Sequence, residues 1–202
     1  MDDMDRLIAE ARALDIGIVM DLVVNHTSDE HAWFRASRSS MMDPKRDWYI
    51  WRDPDTDGGP PDDLQSNFGG PAWTLDSVTG QYYLHFFDRK QPDLNWKNPE
   101  VRAAIWAMMN RWFDRGIAGF RMDVIDLIGK DVDAGVTFNG PDLHAHIQEM
   151  HRETLQGRDV VTVGEAWSAT PEDALLYTGR DRQELSMVFQ FSHVVAGWDP
   201  EF

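Results

Sequence analysis

Two carboxylates stand at the ends of apolar runs. Asp123 closes GIAGFRMD and Glu165 closes DVVTVGE. Side chains alternate along an extended strand, so Arg121 and Asp123 point one way while Phe120 and Met122 point the other. A carboxylate beside a guanidinium stays ionised, which is the state a nucleophile needs. An ordinary buried ion pair would also explain Arg121 and Asp123, but such pairs stabilise poorly compared with apolar packing, which favours a chemical role. Glu165 shares its side of the strand with Val161 and Val163. An apolar setting and a neighbouring carboxylate should raise its pKa and leave it able to donate a proton. Two carboxylates in different settings on adjacent strands are the equipment of glycoside hydrolysis.

Asp21 lies within IGIVMDLVV (16–24), where an unpaired charge would be costly, and Arg121 is its obvious partner. Asn25 and His26 follow at the strand end. His26, Asp29, Glu30 and His31 are close in sequence, but their spacing matches no zinc motif, so no metal site is expected. His144 and His146 read as surface residues on opposite flanks of a helix.

The elements that position these residues alternate in type. A helix is expected over 3–14, with Leu7, Ile8, Ala11 and Leu14 on its apolar face. The run 16–24 reads as a strand buried on both faces of a parallel sheet. Residues 27–96 are rich in Asp, Pro, Gly and aromatics and offer only short strands such as 82–87; so long an irregular stretch reads as an inserted subdomain. After Asn98-Pro99, which caps a helix, strands are expected at 117–125, 159–165 and 186–192. A helix opening at Pro141 carries Leu143, Ile147, Met150 and Thr154 on one stripe, and Thr170–Asp173 spells a capping box. Alternation of this kind means α/β, either a doubly wound sheet or a (β/α)8 barrel. No glycine-rich phosphate loop follows the first strand, and polar residues gather at the C-terminal strand ends, where a barrel keeps its chemistry. Four strands in 202 residues fall short of a barrel's eight, so a fragment is expected, with residues 1–26 and 97–202 forming part of the barrel and 27–96 the insertion.

The formal net charge of −16 disfavours nucleic acid as a partner. No apolar run is long enough for a membrane helix. MDDMDRLI has no signal-peptide pattern, and a cytoplasmic location is expected. The chain has no cysteine, which excludes disulfides. Its nine tryptophans supply flat faces suited to sugars.

DLVVNH (21–26), QPDLN (91–95), GFRMDVI (119–125) and GEAW (164–167) resemble four sequence blocks of the α-amylase family, glycoside hydrolase family 13, in the family's order. HTSDEHAWF (26–34), FGGPAW (68–73), TGQYYLHFF (79–87) and NGPDLH (139–144) resemble its oligo-1,6-glucosidase and dextran glucosidase branch. The resemblance implies a retaining α-glucosidase acting on oligosaccharides, with Asp123 as nucleophile, Glu165 as acid/base and Arg121 as the nucleophile's partner. It further implies that Asp21 supports the floor of the sugar site, that His26 bonds the sugar's primary hydroxyl and that Phe68 packs on glucose. Val124, following the nucleophile, goes with α-1,6 linkages in this branch. No cofactor is implied, and the calcium site of some relatives would lie upstream. The family's third carboxylate, after its seventh strand, has no counterpart in these residues. A glucosyl-transferring isomerase or a non-catalytic amylase-like subunit are the alternatives.

Overall fold

A computed structural model describes residues 1–191, in two compact units. The first comprises Met1–Val24 and Ala104–Phe202. Its centre is a parallel sheet of β1 (Val19–Val23), β5 (Gly119–Asp123), β6 (Val161–Gly164) and β7 (Met187–Val188), in that spatial order. The strands lie side by side in chain order, without the reversal that a doubly wound sheet requires. They are part of a (β/α)8 barrel. The strand expected at 186–192 is present as Met187–Val188, and Ser192 lies outside the described residues.

One face of the sheet is packed. Leu22, Val24, Phe120 and Met122 are buried on it, and Phe113 of α3 (Pro99–Arg115) meets Phe120 edge-on with ring centroids 5.0 Å apart. The expectation that β1 is buried on both faces is not met: Leu22 is 2% exposed, but Val19 and Val23 are 47% and 45% exposed. The cause is topological. Among the described residues β1 has one strand partner, β5, and nothing covers the face that carries Val19, Asp21 and Val23. Helix α1 (Asp2–Ala13) likewise buries Ile8 and Ala11 and leaves Leu7 and Leu14 exposed, a narrower stripe than the sequence indicates. Its acidic first turn and Arg12 in the last complement the helix dipole.

Helix α4 begins at Leu143 rather than Pro141 and ends at Met150, continuing as a π-helical turn over His151–Leu155. Leu143, Ile147, Met150 and Thr154 are all buried, as their spacing predicts. His146, expected at the surface, is also buried, because it sits one position from Ile147 and four from Met150. His144 is half-buried, with Nδ1 2.7 Å from a buried Glu184 oxygen. Helix α5 (Pro171–Thr178) starts on the predicted capping box, with Thr170 and Asp173 bonding each other's backbone N–H.

The second unit, Asn25–Ala103, is larger than the 27–96 segment that composition marks out. It holds helix α2 (Ala32–Ser37) and a three-stranded antiparallel sheet, with β4 (Tyr82–Leu84) between β2 (Trp51–Arg52) and β3 (Trp73–Leu75). Strands this short carry almost no periodicity, and the unit is held instead by an aromatic core. Phe34 stacks on Trp51 at 5.8 Å and meets Tyr49 and Tyr83 edge-on. Burial pushes the Tyr49 phenol far up despite its 2.7 Å bond with Thr27.

The tightest approach in the parallel sheet is at Gly119, where an added Cβ would lie 1.8 Å from the Val161 carbonyl oxygen. Backbone cannot yield there without losing the β5–β6 pairing. Gly119→Ala should therefore cost more than about 4 kcal/mol in urea unfolding, or prevent folding. An unchanged urea midpoint would contradict the approach.

Candidate active site

The register of the sheet assembles the site. Parallel pairing sets Asp21 against Arg121, Val23 against Asp123, and Arg121 against Val163, so these side chains emerge on the same, uncovered face. One guanidinium then meets three carboxylates. Arg121 Nη1 donates to Asp21 Oδ1 at 2.8 Å and to Asp123 Oδ1 at 2.5 Å, and Nη2 donates to Glu165 Oε2. Burial alone would lower the Arg121 pKa, but its hydrogen bonds to Asp21 and Asp123 and the charge of Glu165 outweigh it and raise it. Asp21, expected inside the strand as a buried charge, is instead more than half exposed at its side chain.

Glu165 is buried, but not in the apolar setting its strand indicates. Besides Arg121, the Val124 backbone N–H donates to Oε2 at 3.3 Å and the Trp167 indole N–H donates to Oε1 at 2.8 Å. Its main chain is pinned as well, to Met122 O through its N–H and to the Ile125 N–H through its carbonyl, both at 2.9 Å. Val124 adopts the left-handed region, with φ +39°. That is costly for a β-branched residue, and it turns the chain sharply after Asp123. Trp167 is a site residue that the reading of single positions missed. Its signal lay in GEAW, where the indole follows the carboxylate by two residues and the turn after β6 brings it back to Glu165. It is half exposed and stacks on Phe191 with centroids 4.1 Å apart.

The structure thus brings together Asp21, Arg121, Asp123, Val124 and Glu165. His26 and Phe68 belong to the second unit. His26 is buried there, with Nε2 3.0 Å from Gln91 Nε2 and Nδ1 3.3 Å from the Asn25 amide nitrogen. Asn25 also donates to Asp93 Oδ2 at 3.2 Å. Phe68 is 71% exposed beside Gly69. The rings of His26 and Phe68 both pack against Phe87, at 5.2 and 5.5 Å. Among the described residues no group of three or more His, Asp or Glu side chains is placed to hold a metal ion. No helix among them is long and apolar enough to cross a membrane.

Comparison with known proteins shows the family to which the chain belongs. Residues 1–201 match the family described as alpha amylase, catalytic domain. The chain is 64% identical over 205 residues to a palatinase of Erwinia rhapontici, covering 100% of this chain and 37% of that protein. It is 58% identical over 194 residues to a glucan 1,6-alpha-glucosidase of Streptococcus pneumoniae, covering 96% of this chain and 35% of that one. The solved trehalose-6-phosphate hydrolase of Bacillus licheniformis superposes with a TM-score of 0.93 at 44% identity, over 97% of this chain and 37% of its own.

If Arg121 neutralises three facing carboxylates, Arg121→Met should destabilise by about 1.5–3 kcal/mol in urea at neutral pH, the scale of hydrogen bonds to charged groups. Asp21→Asn, at the exposed end, should cost under about 1 kcal/mol. Equal stability of the Met variant and the parent would show that the guanidinium is not what holds the cluster.

Proposed function

Since the chain belongs to the α-amylase family, we propose that it carries the nucleophile and the acid/base of a retaining α-glucosidase. The enzyme, a longer chain, cleaves α-1,6 bonds of short gluco-oligosaccharides. The supporting observation is the single guanidinium shared by Asp123 and Glu165, which keeps the two carboxyls one planar group apart. That suits the separation of about 5–5.5 Å of retaining enzymes better than the wider gap of inverting ones.

In this reading Asp123 attacks the anomeric carbon, forming a covalent glucosyl ester as the glycosidic bond breaks. Glu165 gives its proton to the departing oxygen. The resulting carboxylate takes a proton from water, whose oxygen attacks the anomeric carbon, expels Asp123 and restores the original configuration. Glu165 Oε2 is turned to Arg121 and the Val124 N–H, so Oε1, on the Trp167 side, delivers the proton. Trp167 accordingly flanks the leaving group. Arg121, held on its other side by Asp21, donates to Asp123 and orients it. The substrate-binding roles of His26 and Phe68 rest on the family resemblance of their motifs. The reaction needs no metal or cofactor beyond the two carboxyls. A cytoplasmic location, away from membranes and nucleic acid, completes the proposal.

The relative named glucan 1,6-alpha-glucosidase supports both hydrolysis and the α-1,6 bond. A transferring isomerase would share every step up to the covalent ester and differ only in its acceptor. In the protein that carries these residues with the rest of the barrel, NMR should show α-glucose as the first sugar released from an aryl α-glucoside. β-Glucose would refute retention. Val124→Ala should raise activity on α-1,4 disaccharides relative to isomaltose by no more than the roughly 1–3 kcal/mol that a methylene or two can discriminate. An unmoved ratio would remove Val124 as the linkage selector.

A further inference from the structure

Asp126, three residues beyond the nucleophile, is fully buried on the single turn of 3-10 helix Ile125–Leu127. Its Oδ2 accepts from both the Ser168 N–H, at 3.2 Å, and the Ser168 hydroxyl, at 2.9 Å. Ser168 Oγ in turn accepts from Asn139 Nδ2 at 3.0 Å, and Asn139 Oδ1 accepts from the Tyr177 hydroxyl at 2.6 Å. The Asn139 N–H closes the circuit on the Asp126 carbonyl at 2.9 Å. Burial pushes the Asp126 carboxyl up, with hydrogen bonds from Ser168 pulling against it, and Oδ1 is a buried oxygen without a hydrogen-bond partner. A site that costs this much to bury is a poor choice for stability alone.

The network has a consequence for Glu165. The Asp126 turn follows directly on Val124, whose N–H meets Glu165 Oε2, and it is closed by the Leu127 N–H on Val124 O at 3.0 Å. Ser168 follows directly on Trp167, whose indole holds Oε1. One carboxylate therefore ties together the two segments that supply a backbone and an indole donor to opposite oxygens of the same acid. We infer that Asp126 is a positioning residue for Glu165, acting through Ser168 and Trp167 to aim the proton-bearing oxygen at the leaving group. This rests on the glycosidase reading above. It goes beyond it in giving the circuit Asp126–Ser168–Asn139–Tyr177 a part in acid catalysis rather than in fold stability alone.

The test uses the protein that carries these residues with the rest of the barrel, and compares two substrates by kcat/KM. Isomaltose expels a sugar alkoxide and needs the proton; α-glucosyl fluoride expels fluoride and needs it far less. Asp126→Ala and Ser168→Ala should lower kcat/KM on isomaltose by about 10–100-fold, part of the 10²–10⁴ that general acid catalysis supplies, and on the fluoride by less than about 3-fold. Asp126→Asn keeps an acceptor for Ser168 and should stay close to the parent on both. Equal losses on the two substrates, or no loss on isomaltose, would overturn the inference. Should Asp126→Ala not fold, Ser168→Ala, which removes one hydroxyl, decides the matter. Glu165→Gln separates the two levels. If it shows the substrate split and the Asp126 and Ser168 variants do not, only the positioning role falls. If Glu165→Gln shows no split, the acid assignment falls and takes the inference with it.

Discussion

Everything in the site depends on one guanidinium. Arg121 lies mid-strand with carboxylates on three sides: Asp21 across one strand boundary, Asp123 two residues ahead, and Glu165 from the far side. Three carboxylates this close would repel one another, and a planar cation with donors fixed in a fork is the group that holds several at set angles. The fork works only if the neighbouring strands arrive in register. Parallel pairing of Val19–Val23 and of Val161–Gly164 on Gly119–Asp123 provides that register, and the absence of a side chain at Gly119 lets β6 close up.

The chemistry sits where the sheet stops being regular. Asp123 ends β5, and the left-handed Val124 turns the chain so abruptly that its own N–H reaches Glu165. Strain at such a residue costs of order 1–3 kcal/mol and persists only if its surroundings over-determine it. The surroundings do so: Ile125, Asp126 and Leu127 are fully buried, and the Ile125 N–H is taken by the Glu165 carbonyl. Asp123 and Glu165 are thus joined through main chain as well as through Arg121, and neither can move far without the other.

Much of this was legible in the sequence, for physical reasons. Alternation along an apolar run places Arg121 and Asp123 on one face whatever surrounds them, and the stripe Leu143, Ile147, Met150 and Thr154 stays buried even as its helix passes into a π turn. The capping box at Thr170 is local chemistry and survives unchanged. What escaped was set by distant partners. β1 looks doubly buried because a closed barrel would bury it, but with one strand neighbour it is half open. Glu165 reads as a carboxylate in an apolar setting because its strand is apolar; its three donors come from positions 121, 124 and 167. His146 differs from a surface histidine by one helical position, and strands of two or three residues leave no period to read.

The central claim is that Arg121 holds Asp123 ready to form a bond to carbon. The most direct measurement traps that bond. The protein carrying these residues with the rest of its barrel is treated with a ring-fluorinated α-glucosyl fluoride, which forms the ester quickly and hydrolyses it slowly, and the digest is mapped by mass spectrometry. One fluoroglucosyl group on the peptide containing GFRMDVI, fragmenting to Asp123 and absent from an Asp123→Asn protein, is the result predicted. A label on Glu165 or Asp21, or inactivation with no covalent label, would contradict it.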